Sequence, residues 1–145
     1  MTSQAREVAV RMLGRREYAA RELRERLQHK GYESAAVVEA VEWAAREGLQ
    51  SDERFAEAFA RQKSARLFGP RRILAELSAR GVESDVAEAA VDALAIDWVD
   101  AAARYLQRRY AEALDTEDRG RAYQGLSRRG FTHEQAMAAL SRRRD

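Results

Sequence analysis

The side chains of this 145-residue chain that could support chemistry are basic ones, because the usual catalytic sets are missing. Cys is absent, which excludes a thiolate nucleophile and a cysteine-based zinc site. The two histidines, His29 and His133, lie too far apart in sequence to indicate a metal centre or a histidine-driven hydrolase. Gly120 and Gly125 have the spacing of a phosphate-binding loop, but the Lys-Ser/Thr pair that such a loop requires does not follow. The sequence therefore predicts a protein that is not an enzyme and that uses no cofactor or metal.

Arginine supplies almost all of the positive charge. Of the 26 basic residues only Lys30 and Lys63 are lysines, so 24 are arginines, and they face 24 acidic residues. The guanidinium fork binds carboxylates and phosphates in two-pronged geometry, which makes arginine the residue of choice for such partners. A GC-rich genome would also enrich arginine and alanine, and the net charge of +2 does not by itself indicate nucleic acid. The placement of the arginines is therefore more informative than their number.

The last third of the chain is its most basic part. From residue 98 to residue 145 there are ten basic and seven acidic residues, whereas residues 51–97 have seven basic and nine acidic ones. Arg121 and Arg129 are two helical turns apart and share a helix face, and Arg128 lies beside them. This surface is the best candidate for binding phosphates or carboxylates. The alternative is a solvated basic face without a ligand.

Two basic pairs elsewhere are further candidates. Arg71-Arg72 follows Gly69-Pro70 at a predicted helix start, where positive charge opposes the helix dipole. A ligand or a neighbouring acid is therefore expected beside this pair. Arg15-Arg16 lies in the predicted turn between the first two helices, and for both pairs the functional and the structural interpretations stay open.

Two columns of charges at helical spacing favour a structural interpretation. Glu22, Arg26 and Lys30 form one column, and Arg72, Glu76 and Arg80 form the other. Both columns mix signs, so they predict solvated faces whose charges pair among themselves.

The elements that position these residues are predicted to be helices almost throughout. Ala, Leu, Arg and Glu dominate, Pro70 is the only proline, and apolar residues recur at helical spacing. No apolar stretch approaches the length of a membrane span, so a soluble cytoplasmic protein is expected. The fold class predicted from this pattern is all-α.

A motif of the form Leu-x-x-Lys/Arg-Gly-apolar occurs three times. Its glycines, Gly31, Gly81 and Gly130, are 50 and 49 residues apart. Glycine after the last helical residue adopts the left-handed conformation at little cost, and the apolar residue that follows packs back on the helix. Thr132 and Gln135 are also predicted to form a capping box. The expected N-caps of the helices that follow the three glycines are Ser34, Ser84 and Thr132.

The motif divides the chain into three tandem three-helix repeats, at residues 1–49, 50–96 and 97–145. A unit of this size is marginal alone, so each repeat is expected to lean on its neighbour, and a monomer is expected. The predicted helices cover residues 5–14, 20–30, 34–47, 52–66, 70–80, 84–95, 98–112, 117–129 and 132–142.

The ordered motifs resemble those of the RecX family, bacterial regulators of the RecA recombinase, over nearly the whole chain. Two departures are Ala19, where the family usually has Ser as an N-cap, and Leu49-Gln50-Ser51-Asp52 in place of Leu-Leu-Asp-Asp. The motifs are Arg15-Arg16-Glu17-Tyr18, Glu22-Leu23-x-x-x-Leu27-x-x-Lys30-Gly31-Tyr32, Gly48-Leu49-x-x-Asp52-Glu53-Arg54-Phe55-Ala56, Gly69-x-Arg71-Arg72-Ile73-x-x-Glu76-Leu77-x-x-x-Gly81-Val82 and Leu126-x-x-Arg129-Gly130-Phe131.

The resemblance implies a function that composition and spacing do not show. Proteins of this family are elongated, curved strings of three-helix units that bind in the helical groove of the RecA filament on single-stranded DNA. They contact more than one protomer, and they suppress ATP hydrolysis and strand exchange without catalysing a reaction. The RecA filament is then the expected partner, with DNA phosphates as further contacts. The residues expected to bind RecA or DNA are Arg121, Arg128 and Arg129, followed by Arg71, Arg72, Lys63, Arg15 and Arg16.

Two other functions remain open from the sequence alone. A Gly turn between two helices also fits a helix-turn-helix DNA-binding protein. The candidate recognition helices argue against it, because their first residues carry no Arg or Lys and two of the three carry an acid. A helical scaffold that binds a protein unrelated to RecA is the second alternative. Most aromatic residues, including Tyr105, Tyr110 and Tyr123, are interpreted as core residues rather than platforms for nucleic-acid bases.

Overall fold

The computed structural model describes residues 3–110 and 116–142, and all regular structure in these two ranges is helical. The all-α prediction is confirmed. Most helix boundaries lie within two residues of the predicted ones. No helix in the described part of the chain is long and apolar enough to cross a membrane. The nine helices of these ranges are α1 (Ser3–Arg15), α2 (Ala20–His29), α3 (Ser34–Arg46), α4 (Asp52–Ala65), α5 (Pro70–Ala79), α6 (Ser84–Ala93), α7 (Trp98–Arg109), α8 (Thr116–Arg129) and α9 (His133–Arg142).

The three glycine turns have the predicted geometry. Gly31, Gly81 and Gly130 have φ values of 101°, 85° and 102°, in the left-handed region that favours glycine. The backbone amide of the next residue donates to the carbonyl of the helix residue five positions earlier, as in the 3.1 Å bond from Val82 to Leu77. Each turn therefore ends the middle helix of its repeat and reverses the chain into the third helix.

The prediction that Ser34 and Ser84 are N-caps is wrong. These serines are the first helical residues, and Glu33 and Glu83 occupy the N-cap positions without a side-chain capping bond. The turn places the N-cap two residues after its glycine in every repeat, and in the third repeat that residue is Thr132. Thr132 does form the predicted capping box, through bonds of 3.1 and 2.9 Å to the residue three positions on.

Each triplet of helices encloses its own cluster of buried apolar side chains, but three residues cross between clusters. Ala19 follows α1 and is fully buried in the second cluster, and Leu67 follows α4 and packs in the third. Trp98 contacts both of these clusters. The repeats thus share core residues, and the division at residues 49/50 and 96/97 remains a prediction.

Ala95 occupies a backbone conformation that favours glycine. It follows the end of α6 with a φ of 52°, and its side chain is exposed. We expect Ala95→Gly to raise the free energy of unfolding by about 1 kcal/mol, because the left-handed conformation costs an L-residue about that much. Urea denaturation measures the change. Ala93→Gly, in the last turn of the same helix, is the matched control and should lower stability by roughly 0.5–1 kcal/mol. Equal losses in both variants would contradict the prediction.

Candidate interaction surface

Side chains join the first repeat to the second. The backbone amide of Ala20, at the start of α2, donates to Asp52 Oδ1 at 2.9 Å, and Gln50 Nε2 donates to the same oxygen at 2.9 Å. Gln50 Nε2 also donates to the carbonyl of Tyr18 at 3.2 Å. Asp52 therefore caps α2 from the neighbouring repeat. This contact replaces the N-cap that Ala19 cannot provide, while the methyl group of Ala19 packs in the second core.

Removing the Asp52 carboxylate should loosen this junction. We expect Asp52→Ala to lower the free energy of unfolding by about 1–2 kcal/mol, because the α2 amide and the Gln50 side chain both lose their acceptor. Asp52→Asn, which keeps an acceptor oxygen, should lose less than half of that amount. Hydrogen exchange at the Ala20 amide should accelerate in the alanine variant. Unchanged exchange there would show that the capping bond is not formed in solution.

Backbone groups join the second repeat to the third. The amide of Gly69 donates to the carbonyl of Arg129 at 2.8 Å, and the amide of Arg71 donates to the carbonyl of Gly130 at 2.9 Å. A Cβ atom placed on Gly69 would lie 2.4 Å from the carbonyl carbon of Gly130. The loop before α5 and the glycine turn after α8 therefore touch backbone to backbone.

Arg129 clamps this second junction. Its Nε donates to the carbonyl of Leu67 at 3.1 Å, and its terminal nitrogen donates to the carbonyl of Arg66. The guanidinium lies 3.9 Å from the ring centre of Phe68. Burial lowers the pKa of the Arg129 guanidinium, and the nearby positive charge of Arg72 lowers it further. Arg129 thus has a structural task in the folded chain, which the sequence did not indicate.

Other cations rest on two aromatic rings of the second repeat. Arg72 lies 4.5 Å from the ring centre of Phe68, and Lys63 lies 5.0 Å from it on the same ring. Arg80 lies 4.6 Å from the ring centre of Phe59. The rings hold the cations by cation–π attraction and are themselves almost fully buried. The cation contacts of Tyr18 and Tyr105 continue this arrangement into the first and third repeats, and we call the whole set the basic–aromatic row. Its members are Arg26, Arg16, Tyr18, Arg80, Phe59, Lys63, Phe68, Arg72, Arg129 and Tyr105.

A single carboxylate serves three cations in this row. Glu76 lies 3.1 Å from Arg72, 3.5 Å from Lys63 and 3.9 Å from Arg80, measured between nitrogen and oxygen atoms. The Arg72-Glu76-Arg80 column therefore pairs with itself, as predicted, and Glu76 is the neighbouring acid expected near Arg72. The added Lys63 leaves the group with two positive charges in excess.

The column of the first repeat behaves differently. Glu22 pairs with Arg16 at 3.2 Å rather than with Arg26. Within the described residues Arg26 and Lys30 have no ion pair, so the prediction of a self-paired column is wrong here. Arg16 also stacks 3.6 Å from the ring centre of Tyr18.

The structure divides the eight predicted site residues into two groups. Arg16, Lys63, Arg72 and Arg129 are anchored by the contacts described above. Among the residues 3–110 and 116–142, the other four have exposed side chains without a hydrogen bond or ion pair: Arg15, Arg71, Arg121 and Arg128. The structure does not bring these eight residues into one site.

Arg80 belongs to the row and Glu76 pairs with its cations, but neither was predicted to be a site residue. Arg80 directly precedes Gly81, just as Arg129 precedes Gly130, so the repeat alignment carried a signal for it. The column at helical spacing predicted the pairing of Glu76 with Arg72 and Arg80, but no sequence signal indicated its contact with Lys63, which comes from another helix. In the described chain no group of three or more acidic or histidine side chains could hold a metal ion.

A cleft of about 550 Å³ lies between the first and second repeats. Its floor is formed by Phe55 and Phe59 of α4, and Gln62 lies on its wall. Both repeats contribute to its rim, so its shape depends on the angle between them. The cations that line it are Arg16, Arg26, Lys63 and Arg80.

Comparisons with known proteins agree on one family. A family model described as "RecX, first three-helix domain" matches residues 5–43, and "RecX, second three-helix domain" matches residues 51–91. The regulatory protein RecX of Chromohalobacter salexigens is 39% identical over 137 residues, covering 94% of this chain and 90% of the relative. That of Halorhodospira halophila is 38% identical over 138 residues, covering 94% and 86%.

The fold is also found in solved structures. The crystal structure of RecX from Lactobacillus salivarius superposes with a TM-score of 0.81 at 21% identity, covering 97% of this chain and 95% of that one. A second RecX crystal structure superposes with a TM-score of 0.80. These two likenesses concern the helical repeat fold alone. Because two family models match more than half of the residues and the relatives align over most of the chain, the chain belongs to the RecX family of regulatory proteins.

Proposed function

We propose that this protein regulates the RecA recombinase by binding in the groove of the RecA filament on single-stranded DNA. It suppresses ATP hydrolysis, filament extension and strand exchange, and so controls recombination and DNA repair in the cytoplasm. The observation that supports the proposal best is the basic–aromatic row, which presents cations from all three repeats. Membership of the RecX family supports it independently.

The mechanism is occupancy rather than catalysis. A curved monomer lies along the filament groove and bridges neighbouring protomers through arginine contacts to carboxylates, with DNA phosphates as additional partners. A bridging ligand that binds one inter-protomer geometry better than another shifts the filament toward that geometry. A binder without an active site can change an ATPase rate in this way.

The two groups of site residues serve this mechanism differently. Anchored cations such as Arg129 and Arg72 fix the shape of the row and the junction behind it. Exposed arginines with no partner among the described residues, such as Arg121 and Arg128, can contact the filament without breaking a bond to those residues. The exposed group is therefore where charge reversal removes function without harming the fold.

The third repeat offers a direct test of this division. We expect Arg121→Glu combined with Arg128→Glu to raise the dose needed for half-suppression of the RecA ATPase at least tenfold, because two contacts become repulsive. The free energy of unfolding should stay within about 0.5 kcal/mol of the wild type, as for most surface substitutions. Arg46→Glu with Arg61→Glu, an exposed pair outside the row, makes the same change in net charge and should keep the activity. Full suppression by the folded third-repeat variant would remove this repeat from the interface.

The function itself is tested by measuring RecA ATP hydrolysis on single-stranded DNA with this protein far below the RecA concentration. A fall in rate at such doses supports action on the filament, because competition for bare DNA needs nearly stoichiometric protein. An unchanged rate even at excess protein would discard RecA as the target. A scaffold for an unrelated protein would then be the better hypothesis.

A helix-turn-helix DNA-binding function has less support. The first turns of α6 and α9 carry Asp85 and Glu134, and both side chains are exposed. Carboxylates at these positions repel phosphates and pair with few base edges. No candidate recognition helix in the described residues begins with a cation.

A further inference from the structure

The cleft between the first and second repeats combines an apolar floor with a charged rim. Phe55 and Phe59 of α4 form the floor, together with the methyl group of Ala58. Arg26 comes from α2 of the first repeat, and Arg80 comes from the end of α5 in the second. Cations from two repeats thus converge over apolar surface, an arrangement that suits a protein segment carrying both apolar and acidic side chains.

The acids at the rim are already engaged. Glu22 pairs with Arg16 at 3.2 Å, and Glu17 pairs with Arg54 at 3.1 Å. Arg26 faces the cleft without an ion pair in the described chain. The rim therefore keeps unpaired positive charge that an external anion can neutralise.

Glu76 shows that the cations of the cleft bind a carboxylate. Its carboxylate lies 3.5 Å from Lys63 and 3.9 Å from Arg80, two of the cations that line the cleft. The cations thus already hold one carboxylate, and Glu76 is partly exposed and replaceable by an outside group. An incoming carboxylate would take over contacts that Glu76 now makes.

We infer that the cleft binds an acidic segment of the protein partner and that Glu76 competes with this segment for Lys63 and Arg80. The inference rests on the proposed function and deepens it, because it assigns the cleft to protein carboxylates rather than to DNA. Single-stranded nucleic acid is a poorer fit, since the rings of Phe59 and Phe68 are covered by cations and offer no face for base stacking.

Charge reversal inside the cleft tests the inference. Arg26→Glu with Gln62→Glu lowers the net charge by three at exposed positions whose side chains have no hydrogen bond or ion pair among the described residues. The matched control, Arg46→Glu with Gln28→Glu, makes the same charge change on exposed positions outside the cleft. We expect the cleft variant to need at least tenfold more protein than the control for half-suppression of the RecA ATPase. Its affinity for a labelled single-stranded oligonucleotide should match that of the control.

Two outcomes of this comparison overturn the inference. If the cleft variant suppresses the ATPase as well as the control does, the cleft is not used. If its affinities for the filament and for the bare oligonucleotide fall together, the cleft binds nucleic acid instead. Circular dichroism and urea denaturation establish that both variants are folded.

The scarcity of lysine permits a second, more direct experiment. Lys63 and Lys30 are the only lysines, and a carbodiimide joins a lysine amine to a nearby carboxylate as an amide. We expect a crosslink between Lys63 and RecA on a filament assembled on DNA without terminal phosphates. The Lys63→Arg variant should give no crosslink at this position. Glu76→Gln should raise the yield at least twofold because it frees Lys63, whereas Glu88→Gln, an exposed control on α6, should not.

The crosslinking result separates the two proposals. Crosslinks through Lys63 without any effect on ATP hydrolysis would overturn the proposed suppression of RecA but keep the docking site. Suppression by the wild type without a crosslink from Lys63 would overturn the docking site but keep the function. A yield that Glu76→Gln leaves unchanged would show that Glu76 does not compete.

Discussion

Replacing Gly130 with alanine is expected to lower the free energy of unfolding by about 3 kcal/mol or more. An alanine Cβ there would lie 2.3 Å from the Cβ of Arg72 and 2.5 Å from its backbone nitrogen. The positive φ of 102° adds the cost of holding an L-residue in the left-handed region, about 1–2 kcal/mol. Relief of the clash requires the backbone to move, which breaks the bond from Arg71 to Gly130 and separates the second and third repeats.

Gly31 provides a matched control for this prediction. It occupies the same place in the first repeat with a φ of 101°, yet nothing lies within 4 Å of a Cβ built on it. Gly31→Ala should therefore cost only the conformational part, about 1–2 kcal/mol. Urea denaturation of both variants isolates the contribution of the junction as a difference. Equal losses at Gly31 and Gly130 would show that the contact between repeats contributes little.

Removing the side chain of Arg129 is expected to have the second largest effect. Arg129→Ala should lower the free energy of unfolding by about 2–3 kcal/mol, because the carbonyls of Arg66 and Leu67 lose a charged donor. The stacking of the guanidinium on Phe68 is lost as well. Arg129→Lys keeps the charge but lacks the planar fork that reaches two carbonyls at once, so it should recover less than half of the loss.

The neighbouring residue is the control for this substitution. Arg128 is exposed, and in the described chain its side chain has no partner, so Arg128→Ala should change stability by at most about 0.5 kcal/mol. Urea denaturation again supplies the measurement. If the two alanine variants were equally stable, Arg129 would have no clamping role and would return to the group of freely exposed arginines.

The parts of the fold that depend on neighbouring residues could be predicted from the sequence. The turns at Gly31, Gly81 and Gly130 are local, because one residue with left-handed backbone ends the helix and one apolar residue packs back on it. Their spacing then reveals three repeats. A local signal can also mislead. Ser34 and Ser84 have side chains typical of N-caps, but the turn geometry places the N-cap one residue earlier, at Glu33 and Glu83.

The parts that depend on distant residues could not be predicted. On a helical wheel Arg121 and Arg129 share a face and look interchangeable, and reversing both charges would be expected to leave the melting temperature unchanged. Arg129 in fact bonds to the carbonyl of Leu67, 62 positions earlier in the chain. Because such contacts arise only when the repeats dock, periodicity cannot separate the anchored arginine from the free one. The same applies to Asp52, whose capping of α2 crosses a repeat boundary.

The backbone bonds between the loop at Gly69 and the turn at Gly130 couple the stabilities of the second and third repeats. A substitution can remove the side chain of Asp52 or Arg54, but it leaves a backbone amide and carbonyl in place. The coupling between the second and third repeats is therefore kept as the sequence changes. Apart from the local bond from the Gln50 amide to the carbonyl of Ala44, the hydrogen bonds that attach the first repeat in the described chain each involve a side chain, so it can open without exposing the backbone groups paired at Gly69 and Gly130. We therefore expect the second and third repeats to unfold as one cooperative unit and the first repeat to open separately, and the cleft lies at the boundary between them.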